Sequence, residues 1–405
     1  MHNLLNQAKS LQESIVEQRR FLHKNAEVGF ELKKTVEFVE NELKKMGIEP
    51  EKCGKSGITA LIGGKKSGKV FLLRADMDAL PIQEKSGEPF ACERKNMHAC
   101  GHDLHTAMLL GAAKILKTYE SEIQGTVKLM FQPAEEIFCG SKDMIDCGVL
   151  ENPRVDCALM IHVMTAVPFA SGTVIVSPPG VSAPAADYFE IEVQGKGCHG
   201  SMPNTGVDPI TAAAHIVLAL QEIVSREMPM SENIALTIGQ ISAGNSYNVI
   251  PDIAVIKGSL RTYSEQTRQF IKGRLKDIPE GVAKAFRATA KTTFSSSCPT
   301  LTNDADLSDC MGKYLIELIG RERTLTASDM NGADSDSTKK SSGSEDFAYI
   351  SQRVPSIMLA LAAGESEKGF IYPQHHPMAR FDESVLSDGS AILAHTAMRW
   401  LEDNK

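Results

Sequence analysis

The sequence predicts an α/β protein: a central sheet flanked by helices, with a smaller α+β segment inserted. Three observations carry this. Val70-Phe71-Leu72-Leu73 is a continuous apolar run, the pattern of a strand buried on both faces. Helix-patterned segments alternate with strand-patterned ones through the first part of the chain and again at its end. Between them, over 188–193, the pattern switches to apolar–polar alternation of period two. A chain of 405 residues is also too long for one ordinary core. The boundaries fall at 1–185 with 297–405 for the α/β domain and at 186–296 for the insertion.

Residues 3–24 read as a helix through Leu4, Leu11, Ile15 and Leu22. A second helix covers 33–46, with Val36, Val39 and Leu43 on one face and Gly47 as its stop. The strand at 58–62 is closed by Gly63-Gly64. The apolar run at 70–73 ends in Arg74-Ala75-Asp76-Met77-Asp78. Acids just past the carboxyl end of a central strand lie where open α/β sheets place ligands. A helix at 104–116 and strands at 126–131 and 158–163 follow. The insertion then reads strand, helix (209–224), two strands (233–238 and 253–260), helix (264–286), strand, which is ferredoxin-like order. A helix at 306–319, a strand at 357–361 and a helix at 384–402 resume the α/β pattern. The Ser-, Asp- and Lys-rich residues 327–344 read as a loop.

Composition narrows the function. Net charge is −8 with no long basic run, and a single Trp among 6% aromatics offers no stacking surface for bases. A nucleic-acid partner has little support. The first ten residues are polar, and no run approaches the roughly 18 apolar residues that span a membrane. A cytoplasmic protein with no membrane partner is expected. The nine Cys show no CxxC spacing and read as reduced thiols. Cys53, Cys92, Cys139, Cys147, Cys157, Cys298 and Cys310 read as packing residues.

Cys100 stands apart. His98-Ala99-Cys100-Gly101-His102-Asp103-Leu104-His105 packs three imidazoles, a thiol and a carboxylate at the mouth of a helix. Soft and borderline ligands at that density indicate a transition metal. Cys100 and His102 flank a glycine and can face one ion. A Cys–His nucleophile pair and a local structural zinc site are the alternatives. Glu135-Glu136 ends an apolar strand. Adjacent acids there form a solvated turn, or one binds metal while its neighbour acts as a general base, since consecutive residues point to different sides. His162 and His375-His376 read alone as a core histidine and a surface loop; they gain weight as the further ligands such a site needs. The glycines around His199 form no phosphate loop, because no GKS or GKT ending follows. Gly343-Ser344-Glu345-Asp346-Phe347 is a weak signal, with Ser344 as a helix N-cap. Together the clusters suggest a hydrolase that uses metal-activated water.

Eight blocks occur in order: Gly29-Phe30-Glu31, RADMDALPIQE at 74–84, MHACGHDLH at 97–105, FQPAEE at 131–136, GKGCHGSMPNTGVDP at 195–209, NVIPD at 248–252, GSEDFAY at 343–349 and HHP at 375–377. In them the chain resembles the co-catalytic metallopeptidase and aminoacylase family that includes glutamate carboxypeptidases. Within it, the chain is most similar to bacterial N-acyl-amino-acid amidohydrolases and plant indole-3-acetyl-amino-acid hydrolases. The resemblance implies two divalent ions about 3.5–4 Å apart, zinc or manganese, with cobalt or nickel also accepted. It implies Cys100 as the bridging ligand, with His102, Glu136, His162 and His376 completing the pair. Glu135 becomes the general base, and Asp76 and Asp78 orient the ligands. The insertion becomes a lid that also forms a homodimer, with His199 reaching the partner's active site to meet the developing oxyanion. Asn248 and Arg261 would hold the substrate carboxylate, with Gly343 and Ser344 in the substrate site. The implied substrate is an N-acyl amino acid. A dipeptidase or carboxypeptidase and a catalytically silent metal sensor are the alternatives. Two departures stand out: Ile137-Phe138-Cys139-Gly140 lacks the Gly-rich run of many relatives, and Asn204 stands where many have His.

Overall fold

The computed structural model describes residues 4–330 and 343–405. They fall into two compact units. One takes the chain up to Ser182 and from Thr302 onward, apart from a short return that ends at Glu345; the other is Ala183–Leu301 with that return.

The first unit is built on a mixed eight-stranded sheet. Its order is Pro50–Cys53, Gly57–Gly63, Thr126–Gln132, Val70–Asp76, Cys157–Met164, Ser356–Ala362, Val174–Val176, Thr324–Leu325. Val70–Asp76 is buried at every position and runs parallel to both neighbours. Asp76 lies opposite Gln132, so both strands deliver polar residues to the same end of the sheet. Helix His102–Thr118 begins at that end and is buried almost all round. It packs against helix Leu386–Asp403. Glycine permits the contact: a Cβ on Gly111 would fall 2.3 Å from Ser390 Oγ, and one on Gly389 2.0 Å from Met108 Sδ.

The helix expected over 3–24 is two, Leu4–Ser10 and Gln12–Lys24. They are joined by one tight turn in which Leu11 N–H donates to the Ala8 carbonyl at 2.9 Å, so the apolar period survives the break. Strand Pro50–Cys53 escaped the reading because its sequence, PEKC, carries no alternation. Strand Val174–Val176 and helix Gly140–Asp146 were too short to show a period. Cys147 is exposed, against expectation, whereas Cys53, Cys92, Cys157 and Cys298 are buried. Of the expected loop at 327–344, Ala327–Met330 is a short helix and 331–342 lie outside the described residues. No helix among the described residues is long and apolar enough to cross a membrane.

The second unit has a four-stranded antiparallel sheet in the order Ile234–Ala243, Ile253–Thr262, Ala185–Gln194, Thr289–Cys298. Helices Pro209–Glu222 and Glu265–Ala285 complete the strand–helix–strand–strand–helix–strand order. Asp208 caps the first helix through Ile210 N, and Ser264 caps the second through Thr267 N. Phe189, Ile191 and Val193 point inward onto Ile216, Leu220, Ile271 and Leu275 in one core.

Asp187 occupies an inward position of the same strand. Arg268 grips it through two bonds, of 2.6 and 2.9 Å, and Lys272 adds a third at 2.8 Å. Burial alone would raise its pKa, but hydrogen bonds from Arg268, Lys272 and Ser297 outweigh it and hold the carboxyl below its ordinary value. The resulting stability is therefore complete above the unfolded value near 4 and is lost as pH falls through the lowered one. Asp187→Asn should cost about 3 kcal/mol, the scale for removing one partner of a buried pair. It should also flatten the acid-side decline. Urea unfolding of the full chain, with hydrogen exchange in Glu265–Ala285, measures both.

Candidate metal centre

Asp78 organises the site. Its Oδ1 accepts from Glu135 N at 2.9 Å and its Oδ2 from Glu136 N at 3.2 Å, while its carbonyl accepts from His102 Nδ1 at 2.8 Å. One residue thus fixes both acids and one imidazole. His102 opens its helix directly after Gly101, whose φ is +93°. A Cβ there would also fall 2.5 Å from Val163 Cγ2, so the turn that presents Cys100 and His102 requires glycine.

The nitrogen left over on His102 is informative. Its Nε2 is buried with no hydrogen-bond partner. It lies 3.6 Å from Asp76 Oδ2, 3.9 Å from Glu136 Oε1 and 4.0 Å from Glu135 Oε2. His162 mirrors it: Nδ1–H donates to the Val163 carbonyl at 2.8 Å and Nε2 faces Cys100 Sγ at 3.6 Å. With Nδ1 bonded to a carbonyl, each ring when neutral turns the lone pair of Nε2 toward the cluster. Donor atoms of Cys100, His102 and His162 lie within 4.8 Å of one another, and so do those of Cys100, Glu136 and His375. Ligands about 2.0–2.3 Å from one ion stand roughly 3.3–3.8 Å apart in a tetrahedral shell, and the Cys100–His162 and Glu136–His375 donor pairs are each 3.6 Å apart. The donor set therefore fits two divalent cations that share the thiol.

Histidine 375, not His376, joins the cluster. Its N–H donates to the Ala99 carbonyl at 2.9 Å, beside Cys100, and its φ of +64° turns the ring so that Nε2 is 3.6 Å from Glu136 Oε1. The His376 ring stacks on Tyr372 with centroids 4.5 Å apart, and its Nδ1 accepts from Met378 N. The resemblance had given this place to His376, but adjacent residues in a turn point apart, and the ring that faces Cys100 and Glu136 is that of His375.

His105 is close but spoken for. Its Nδ1–H donates to Asp76 Oδ1 at 2.6 Å and its Nε2 accepts from Val163 N at 2.9 Å. It is a neutral spacer, its pKa lowered to about 4 by burial. Burial opposes ionisation of Asp76, yet Arg74, His102 and His105 hold its carboxyl well below the usual range. Burial likewise opposes charge on His102, but Asp76 and Cys100 draw a proton to it.

The residues expected from the insertion lie in the second unit. His199 lies in a two-stranded ribbon, Cys198–His199 with Val249–Ile250, Asn248 in the turn just before its second strand, and both are exposed. His199 Nδ1 accepts from Ser201 N at 3.1 Å. Arg261 Nη1 donates to Ser344 Oγ at 2.6 Å and its Nη2 to Tyr188 Oη at 3.0 Å. Ser344 is not a helix cap. Its hydroxyl donates to the Pro184 carbonyl, and Gly343 precedes it in an exposed bend. Sequence reasoning passed over Arg74 and Gln132, which are buried at the sheet end. An Arg inside an apolar strand was the available signal, since a buried charge needs partners.

The model of peptidase family M20/M25/M40 matches residues 72–399. An N-acetyl-L-cysteine deacetylase of Bacillus subtilis is 35% identical over 398 residues, 98% of this chain and 90% of the relative. IAA-amino acid hydrolase ILR1-like 2 of Arabidopsis thaliana is 36% identical over 398 residues, 96% of this chain and 85% of the relative. Among solved structures, a dinuclear metal binding peptidase of family M20 from Bacillus subtilis superposes with a TM-score of 0.78 at 31% identity, covering 97% of this chain and 99% of that one. With such a match along nearly its whole length, the chain belongs to peptidase family M20/M25/M40 and is a metal-dependent hydrolase of amide bonds.

Proposed function

We propose that this enzyme hydrolyses N-acyl amino acids to a carboxylic acid and a free amino acid. The observation that carries the reading is the joining of two donor triads through Cys100, with the buried carboxylate of Glu135 beside them. The names of two relatives, a deacetylase of N-acetyl-L-cysteine and a hydrolase of IAA-amino acids, support the substrate class. Cys100, His102 and His162 would hold one ion, and Cys100, Glu136 and His375 the other. The thiolate favours zinc; manganese, cobalt and nickel also suit the imidazoles and carboxylate. When bound, such ions polarise an amide carbonyl and lower the pKa of water, to about 7 in favourable sites.

The chain's own residues do the rest. Glu135 takes the proton of the attacking water and delivers it to the leaving amine nitrogen. Asp78 keeps Glu135, Glu136 and His102 in fixed mutual positions, and Asp76 fixes His105 beside them. Asn248 and Arg261 are assigned to the substrate carboxylate, and Gly343 and Ser344 to the substrate site. Contacts with Ser344 and Tyr188 pre-set the Arg261 guanidinium. The second unit is assigned as lid and as homodimer contact. Strand Ile234–Ala243 stands at the edge of its sheet, and Ile241 and Leu218 are 51% and 68% exposed. In that dimer, His199 of the partner subunit would hydrogen-bond the developing oxyanion. Sedimentation at micromolar concentration should show the dimer; a monomer removes this part of the proposal.

The test is a substrate panel. Protein reconstituted with zinc or manganese is given N-acetyl, N-benzoyl and N-indoleacetyl amino acids and matched dipeptides, and released amine is measured. The N-acyl amino acids should have the higher kcat/KM. The opposite ranking would make the enzyme a dipeptidase or carboxypeptidase.

A further inference from the structure

We propose that Asp346 is the positioning residue for the loop that carries Glu135 and Glu136; this rests on the roles assigned above to those two acids. The loop leaves the sheet after Gln132 and enters the helix Gly140–Asp146. Both of its ends are tied to one carboxylate. Gln132 Nε2 donates to Asp346 Oδ1 at 2.6 Å, and Ser141 N donates to Asp346 Oδ2 at 3.0 Å. Arg74 Nη2 adds the counter-charge on Oδ1 at 3.1 Å, and the Asp346 N–H points at Glu135 Oε1 at 3.4 Å. Asp346, Gln132 and Ser141 are 0% exposed and Arg74 1%, so water cannot replace a lost bond.

The loop needs such a tie because it is sharply wound. Ala134 and Phe138 both sit at φ +55°, in the left-handed region. The Ala134 carbonyl accepts from both Cys139 N and Gly140 N. A Cβ at Gly140 would fall 1.5 Å from the Pro133 carbonyl oxygen, which measures how tightly the two ends approach. Backbone held in that region persists only where its surroundings over-determine it. Asp346 supplies that restraint from a segment far along the chain. Shifting the acids by about 1 Å can cost roughly a hundredfold in rate.

The test uses the holoenzyme and its metal-free form. Asp346→Asn removes the charge and sets an amide nitrogen against one of the donors. Its kcat should fall by about a hundredfold with KM little changed. Affinity for the more weakly held zinc ion, titrated into the metal-free protein against a chelating dye, should fall by about tenfold, the lower end for a lost supporting bond. Combining Asp346→Asn with Gln132→Glu moves the carboxylate across the same hydrogen bond, still beside Arg74, and should restore most of both losses. A merely structural Asp346 would lower the yield of folded protein and leave kcat per folded chain unchanged. The proposal is overturned by wild-type kcat and zinc affinity in Asp346→Asn, or by a double variant no better than the single one. If the single variant does not fold, the double variant decides: a kcat near wild type supports the tie, and a hundredfold loss rejects it. Glu135→Gln and Glu136→Ala run alongside. If those two are fully active, the roles of the acids are wrong; if they fail while Asp346→Asn is normal, only the positioning role is wrong.

Discussion

Glu135→Gln should lower kcat by about 10²–10⁴-fold, the range of general acid–base terms, and leave two ions bound. The substitution keeps the size of a side chain that is 5% exposed and the backbone bond to Asp78, so the fold has no reason to change. It removes the ability to accept a proton from water and return it to the amine. The paired measurement matters, because Glu135 Oε2 is also 4.0 Å from His102 Nε2 and could be read as a ligand. Elemental analysis separates the roles: full metal with lost turnover marks the base, and lost metal marks a ligand.

His375→Ala should reduce bound metal from two ions to one and abolish most turnover, whereas His376→Ala should keep both ions. The difference follows from one turn of backbone. His375 faces Glu136 and Cys100, and His376 lies flat on Tyr372. Losing one of three protein donors leaves only Glu136 and the shared thiol on that side. Metal content of the two purified variants, measured after the same zinc reconstitution, reads the contrast directly. Equal content in both would remove His375 from the ligand set.

Much of the fold was legible in the sequence, because long elements declare their period. The buried run at Val70, the helix after Gly101 and the capped helices after Asp208 and Ser264 are local signals. Short or polar elements such as Pro50–Cys53 gave none, since tertiary pairing alone makes them strands. For the site, residue chemistry at close spacing exposed Cys100, His102, Glu135 and Glu136. Motif resemblance pointed to His162, whose Nε2 lies 3.6 Å from Cys100 Sγ. What stayed hidden was orientation. Whether His375 or His376 turns inward depends on a left-handed residue. That His105 is a spacer depends on Asp76 and Val163 occupying both its nitrogens. That Asp346 grips both ends of the loop depends on contacts between distant segments.

Anomalous diffraction from crystals grown with zinc is the most direct measurement. Two peaks should appear, each about 2.3 Å from Cys100 Sγ, one also bonded to His102 and His162 and the other to Glu136 and His375. A single peak, or two that do not share that sulfur, would contradict the dinuclear centre.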